Sequence, residues 1–197
     1  MPKRQLDDDV KEKREAFRQQ AKGLDISKIS FLDETSFNTG MALPYGWGKG
    51  RVECYVPDTR YEKSTLVSTI SLDGKMAPIL IGSAMNGDTF LSYVEQSLLP
   101  SMQRGQTLVL DNLSSHKVEG VEEAFAEAGI NLLYLPPYSF DFNPIEQMFS
   151  KAKGIVRSKM PRDQQSLIDA IGEALDQITL SDIQGWFLNC GYSCEIL

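Results

Sequence analysis

Three carboxylates stand out by where they fall in the chain. Asp33 lies in the apolar stretch ISFLDETSF, Asp111 closes the run TLVLD, and Glu146 follows the turn-rich segment LPPYSFDFNP. Thirty-four residues, positions 112–145, separate the last two. A carboxylate within a core strand is costly to bury unless it is paired or bound to a metal. The ends of sheet strands are where sites gather in α/β proteins. If the two strands are neighbours, Asp33 and Asp111 converge. Oxygen donors with no His or Cys beside them select Mg²⁺ or Mn²⁺ over zinc. The three together read as a metal-binding layout for phosphoryl transfer on nucleic acid.

Two roles are open to Glu146. Asn143 is a good helix cap and Pro144 suits a first helical position, so Glu146 can reach back to the cap as a structural residue. The same geometry also sets Glu146 at the head of a rigid helix aimed at the strand ends. His116, the sole histidine, reads either as a loop residue or, five positions after Asp111 and beside Lys117, as a neighbour of the site. Trp47 either packs its Gly-rich loop or stacks near DNA with Lys49 and Arg51. Glu34 should face away from Asp33 because strand side chains alternate. Asp141 is expected in a turn or on a solvated face.

The elements that must hold these residues are legible from the pattern. Residues 7–23 form a charged helix closed by Gly23, and Ile29 to Phe37 alternates as a strand. A loop then leads to a short strand around Val52 to Val56. Ser64 to Ser71 and Ala77 to Ser83 are joined by Leu72-Asp73-Gly74-Lys75, a hairpin signal. Asp88 or Thr89 caps a helix that stops at Pro100. Thr107 to Leu110 is a strand, 117–128 a helix closed by Gly129, and Asn131 to Leu135 a strand. Helices follow from Asn143 to Arg157, over 163–178 and over 181–190. Three strands in hairpin succession, then alternating β and α, predict an α/β fold: a mixed sheet with helices on its faces. The domain plan is a charged helical lead-in (1–28), a catalytic domain (29–160) and an acidic helical extension packed on it (161–197).

The net charge of −7 argues against simple nucleic-acid binding, but its distribution is uneven. Residues 163–197 hold six acids and no Lys or Arg, whereas Gln147 to Arg162 holds five bases and no acid. The basic stretch, with Lys151, Lys153 and Arg157, is either a solvated helix face or a place for a phosphate backbone. Three cysteines supply neither a disulfide framework nor a zinc pattern; Cys190 and Cys194 would share a helix face. The charged start is no signal peptide and no apolar run is of membrane-spanning length, so a cytoplasmic location is expected.

The segments FLDET, the hairpin region, LVLDNLSSHK and LPPYSFDFNPIEQMFSKAK together resemble the catalytic domain of DDE transposases of the mariner superfamily, in its bacterial insertion-sequence branch. The likeness runs from about Ser30 to Lys159. That family often has Pro and Leu where this chain has Phe140 and Phe142, a change that touches the turn and its packing. The resemblance implies a ribonuclease-H-like fold and metal-dependent DNA cleavage and joining. Asp33, Asp111 and Glu146 carry over as a triad for two Mg²⁺ or Mn²⁺ ions, and Asn112, His116 and Lys117 match the motif after the second Asp. It also implies transposon-end and target DNA as partners, a homodimer in the synaptic complex, and a nucleoid association. Relatives carry helix-turn-helix modules ahead of this domain. The 28 or so residues before the first strand are too few for one, so this reads as a catalytic half that a separate recognition polypeptide would complement. Two other readings compete: an inactive remnant serving as a protein-interaction or dimerisation domain, and a structure-selective nuclease on the same fold.

Overall fold

The computed structural model describes residues 7–43, 48–50, 61–74, 77–82, 84–112 and 118–192. The strand predicted at Val52 to Val56 lies outside them. Five strands form one sheet in the order β3-β2-β1-β4-β5. They are β1 (Ile29–Asn38), β2 (Lys63–Ser71), β3 (Ile79–Ile81), β4 (Thr107–Leu110) and β5 (Asn131–Tyr134). β1, β2 and β3 are antiparallel neighbours, while β4 pairs parallel to both β1 and β5. This is the mixed sheet the sequence predicts. Gly74 turns the β2–β3 connection at φ +77°, and a Cβ there would come within 2.7 Å of the Leu180 side chain. Only glycine takes that conformation and that space without strain.

Alternation along the strands splits the core into two layers. Ile29, Phe31 and Phe37 of β1 and Val109 of β4 pack with α1 (Asp8–Lys22), α5 (Ile145–Lys159), α6 (Gln164–Asp176) and α7 (Leu180–Asn189). Leu32, Leu108 and Leu110 face the other way, toward α2 (Gly87–Tyr93), the π-helical stretch Val94–Leu98 and α4 (Val121–Ala128). Phe31 meets Phe187 of α7 edge to face, with ring centroids 5.4 Å apart. Thus α6 and α7 close the same apolar layer as α5, although the charges they carry are all acidic. Among the described residues no helix is long and apolar enough to cross a membrane.

Four local expectations are corrected. The cap of α2 is Asn86, whose side chain accepts from the Thr89 amide, not Asp88 or Thr89. Pro100 does not stop this helix. The Val94–Leu98 π-turn leads into α3 (Leu99–Ser101), where Pro100 sits in a first turn and needs no amide partner. α4 starts only at Val121, because Gly120 before it is left-handed at φ +93°. Cys190 is the C-cap of α7 rather than part of a helical pair, and Cys194 lies outside the described residues. The Cys190 thiol accepts from Gln147 Nε2 at 3.3 Å, and burial pushes its pKa up to about 11.

Lys151 of α5 and Asp182 of α7 pair at 2.6 Å, tying the two helices together. That bond, together with the Thr179 hydroxyl and amide, holds Asp182 down at about 2 from 3.8. A carboxyl depressed in the folded state contributes stability above its unfolded pKa and loses it as pH falls toward the folded value. The urea midpoint should therefore hold steady down to pH near 4 and drop between about 4 and 2. Asp182→Asn should shallow that drop and cost no more than about 1 kcal/mol at neutral pH, because the pair is partly exposed. An unchanged acid limb in the variant would remove Asp182 from the account.

Candidate active site

The parallel register of β1 and β4 decides where two of the carboxylates go. Phe31 pairs with Val109. Asp33 and Asp111 each lie two residues further on, so both share a sheet face with Phe31 and Val109, the face that α5 covers. Adjacent strands run about 4.8 Å apart. Glu146 enters from above, in the first turn of α5. All three line one open cleft of about 400 Å³, together with Asn112, Asn143 and the loop from Leu135 to Phe140. Asp33 and Asp111 are partly buried and Glu146 is exposed.

Asn143 does not cap α5. The helix begins one residue later than expected, with Pro144 at its cap position and no side-chain cap bond. The buried Asn143 amide instead reaches across the cleft floor, and its Nδ2 donates to Asp33 Oδ2 at 2.9 Å. The other Asp33 oxygen accepts from the Glu34 backbone amide at 2.8 Å. Asn143 Oδ1 is buried and, among the described residues, has no hydrogen-bond partner. Pro144, now at the cap position, has no backbone N–H to offer, so Glu146 cannot make the reach-back bond that a cap at Asn143 would allow.

Helical twist sorts the bases on α5. Lys153 and Arg157 follow Glu146 by seven and eleven positions, which at 100° per residue returns them to the Glu146 side. Lys153 is half-buried; burial lowers its pKa, while Glu146 and Asp33 push it back up and Arg157 lowers it further. Its charge is thus felt by two of the three carboxylates, Glu146 and Asp33. Lys151, grouped with these two on sequence grounds, falls on the side of Gln147, where α7 lies, and is taken by Asp182. Lys49 is exposed. Trp47, Arg51, His116 and Lys117 lie outside the described residues.

The donor set suits a hard divalent cation: three carboxylates, with a buried amide oxygen left unpartnered beside them. Among the described residues, however, no three His, Cys, Asp or Glu side chains are drawn together tightly enough to hold an ion as they stand. Like-charged carboxylates repel at short range, and here Asn143 and Lys153 supply the nearby counterweight instead.

The residue that sequence reasoning missed is Arg14. It sits on α1 only 5% exposed, and holds Asp141 with two bonds of 2.9 and 2.6 Å. It also donates to Ser139 Oγ at 2.8 Å and stacks over Phe142 at 4.2 Å. Asp141 lies in a turn and is partly solvated, as expected, but it is also anchored there: its bond to Arg14 holds its carboxyl below the usual range. Phe142, where the resembling family often has Leu, is buried and lies parallel to Phe17 at 5.6 Å, whereas Phe140 stays 53% exposed on the cleft.

Comparison with known proteins bears on the fold and the family. The chain resembles the Mos1 transposase paired-end complex with left transposon end at a TM-score of 0.78 and 14% identity, over 96% of this chain and 60% of that one. It matches the Mos1 transposase catalytic domain with Raltegravir and Mn at a TM-score of 0.69 and 15% identity, over 97% and 93% of the two chains. These likenesses establish the ribonuclease-H-like fold. The chain thus spans about 60% of the longer transposase chains it resembles. No curated protein sequence matches it. The family of DDE superfamily endonucleases matches residues 28–168, which takes in all three carboxylates, and the chain belongs to that family.

Proposed function

We propose that this chain is the catalytic domain of a mariner-superfamily transposase, from the bacterial insertion-sequence branch, that cuts and rejoins DNA. The observation that carries the reading is the β1–β4 register, which puts Asp33 and Asp111 side by side at one cleft with Glu146. Asp33, Asp111 and Glu146 would hold Mg²⁺ or Mn²⁺, and such ions, when bound, stabilise the attacking and leaving oxygens of an in-line displacement at phosphorus. The residues themselves do the remaining work. Asn143 fixes the orientation of Asp33. Lys153 and Arg157 extend a positive track from the carboxylates along α5, along which a phosphate backbone can run. Asn112 borders the cleft beside Asp111, in reach of a bound strand; Trp47, Lys49, Arg51, His116 and Lys117 are further candidates for DNA contact. Transposon ends and target are the DNA partners, a second copy would complete the synaptic complex, and a separate polypeptide can supply end recognition. The chain would act in the cytoplasm on nucleoid DNA. Retention of all three carboxylates in one cleft favours this reading over an inactive remnant.

Replacing Asp33 or Asp111 by Asn keeps the side-chain shape and removes the charge that holds the metal. Each substitution should lower Mn²⁺-dependent nicking of plasmid DNA by roughly a hundredfold or more, with melting temperature little changed. Nicking retained in either purified variant would assign the activity to other residues.

Duplex binding should be weak, sequence-independent and steeply salt-dependent. Lys153→Ala and Arg157→Ala should weaken it equally for all sequences, each reducing the salt slope by about 1. Lys151→Ala should have little effect, because Asp182 already engages that ammonium. Titrations against specific and scrambled duplexes check this; tight binding to one sequence at physiological salt would contradict it.

A further inference from the structure

We infer that Arg14, on the first helix, is a positioning residue for the catalytic carboxylate Asp33, acting through the loop of residues 136–143; this rests on the function proposed above. The loop forms one wall of the cleft, from Pro136 and Pro137 to Asn143. It carries a residue in an uncommon backbone region, Tyr138 at φ +57°, and then one short 3₁₀ turn, Phe140–Phe142. Such a segment keeps one shape only when its surroundings over-determine it. Arg14 supplies much of that determination. Its guanidinium bonds to both Asp141 oxygens, to Ser139 Oγ and, at 3.3 Å, to the Tyr138 carbonyl. Its guanidinium also lies over the Phe142 ring, 4.2 Å from the centroid, and that of Arg18 lies 4.9 Å from the same ring. The Tyr192 hydroxyl donates to the Phe142 carbonyl at 2.8 Å, so the turn is gripped by α1 and by the segment just past the end of α7.

The next residue after the gripped turn is Asn143, whose amide bonds to Asp33. The path from Arg14 to the carboxylate is therefore continuous: guanidinium, Asp141 and Ser139, the turn, Asn143, Asp33. Neither Arg14 nor Asp141 needs to meet DNA for this. The planar, two-pronged guanidinium is required, because an ammonium cannot hold both carboxylate oxygens and a serine hydroxyl in one plane. Catalytic groups displaced by as little as 1 Å lose rate steeply.

The test uses the full chain, with Arg14→Lys, Asp141→Asn and the double variant, each confirmed folded by its melting curve. Ser139→Ala serves as a milder probe if either single variant does not fold. Amide hydrogen exchange is measured at residues 138–143, and Mn²⁺-dependent nicking is measured as the rate at saturating DNA and the half-saturating DNA concentration. Arg14→Lys should speed exchange in the loop but not in the central strands. It should lower the saturating rate roughly ten- to a hundredfold while leaving half-saturation within about twofold. The double variant should lose no more than the worse single one, because both act on one link. Parental exchange in Arg14→Lys, additive losses in the double variant, or a changed half-saturation at parental rate would overturn the inference. A parent chain that does not nick at all would count against the proposed function instead, and the exchange measurement would still decide whether Arg14 orders the loop.

Discussion

The parallel pairing of β1 with β4 is the constraint on which everything at the site depends. It brings Phe31 beside Val109, and pleating then commits every second residue beyond them to the same face. Two aspartates at that offset cannot avoid one another. A shift of one residue in either strand would send one carboxylate into the apolar layer beneath, among Leu32, Leu108 and Leu110. The burial of Phe31, Val109 and their neighbours therefore selects the register, and the register creates the site. Packing energy does the positioning that the like-charged carboxylates oppose.

That opposition shapes the walls of the cleft. An amide from the segment leading into α5, at Asn143, and an ammonium from the middle of that helix, at Lys153, stand against the carboxylates. The segment is in turn braced from α1, through a buried arginine, and from α7, through Tyr192 and the Gln147 contacts. The helices at the two ends of the chain are thus built into the walls of the site. Their outward charge, basic and acidic in alternation on α1 and acidic on α6 and α7, conceals how much of the central layer they close.

Much of the fold was legible because its signals are local. β4 occupies the four residues predicted, Thr107 to Leu110, since a short apolar run between polar turns leaves little choice. The antiparallel start and parallel finish followed from a hairpin glycine and alternating elements. The misses have physical causes. Asn143 has the side chain of a helix cap, and only the tertiary contact with Asp33, 110 positions away, outbids that preference. Arg14 and Asp141 are 127 positions apart, and no local pattern announces such a pair. The π-turn let a proline stay inside a helix that it would otherwise end. Lys151 could have been separated from Lys153 and Arg157 by helical period alone; treating the basic run as one stripe obscured it.

The central claim is that Asp33, Asp111 and Glu146 form a single divalent-metal site at the ends of β1 and β4. Diffraction from crystals soaked in Mn²⁺, recorded with the anomalous signal of manganese, tests it most directly. The account predicts manganese peaks within the cleft, against oxygens of all three carboxylates. Saturating Mn²⁺ with no peak in that cleft, or with peaks bound only by other residues, would contradict it.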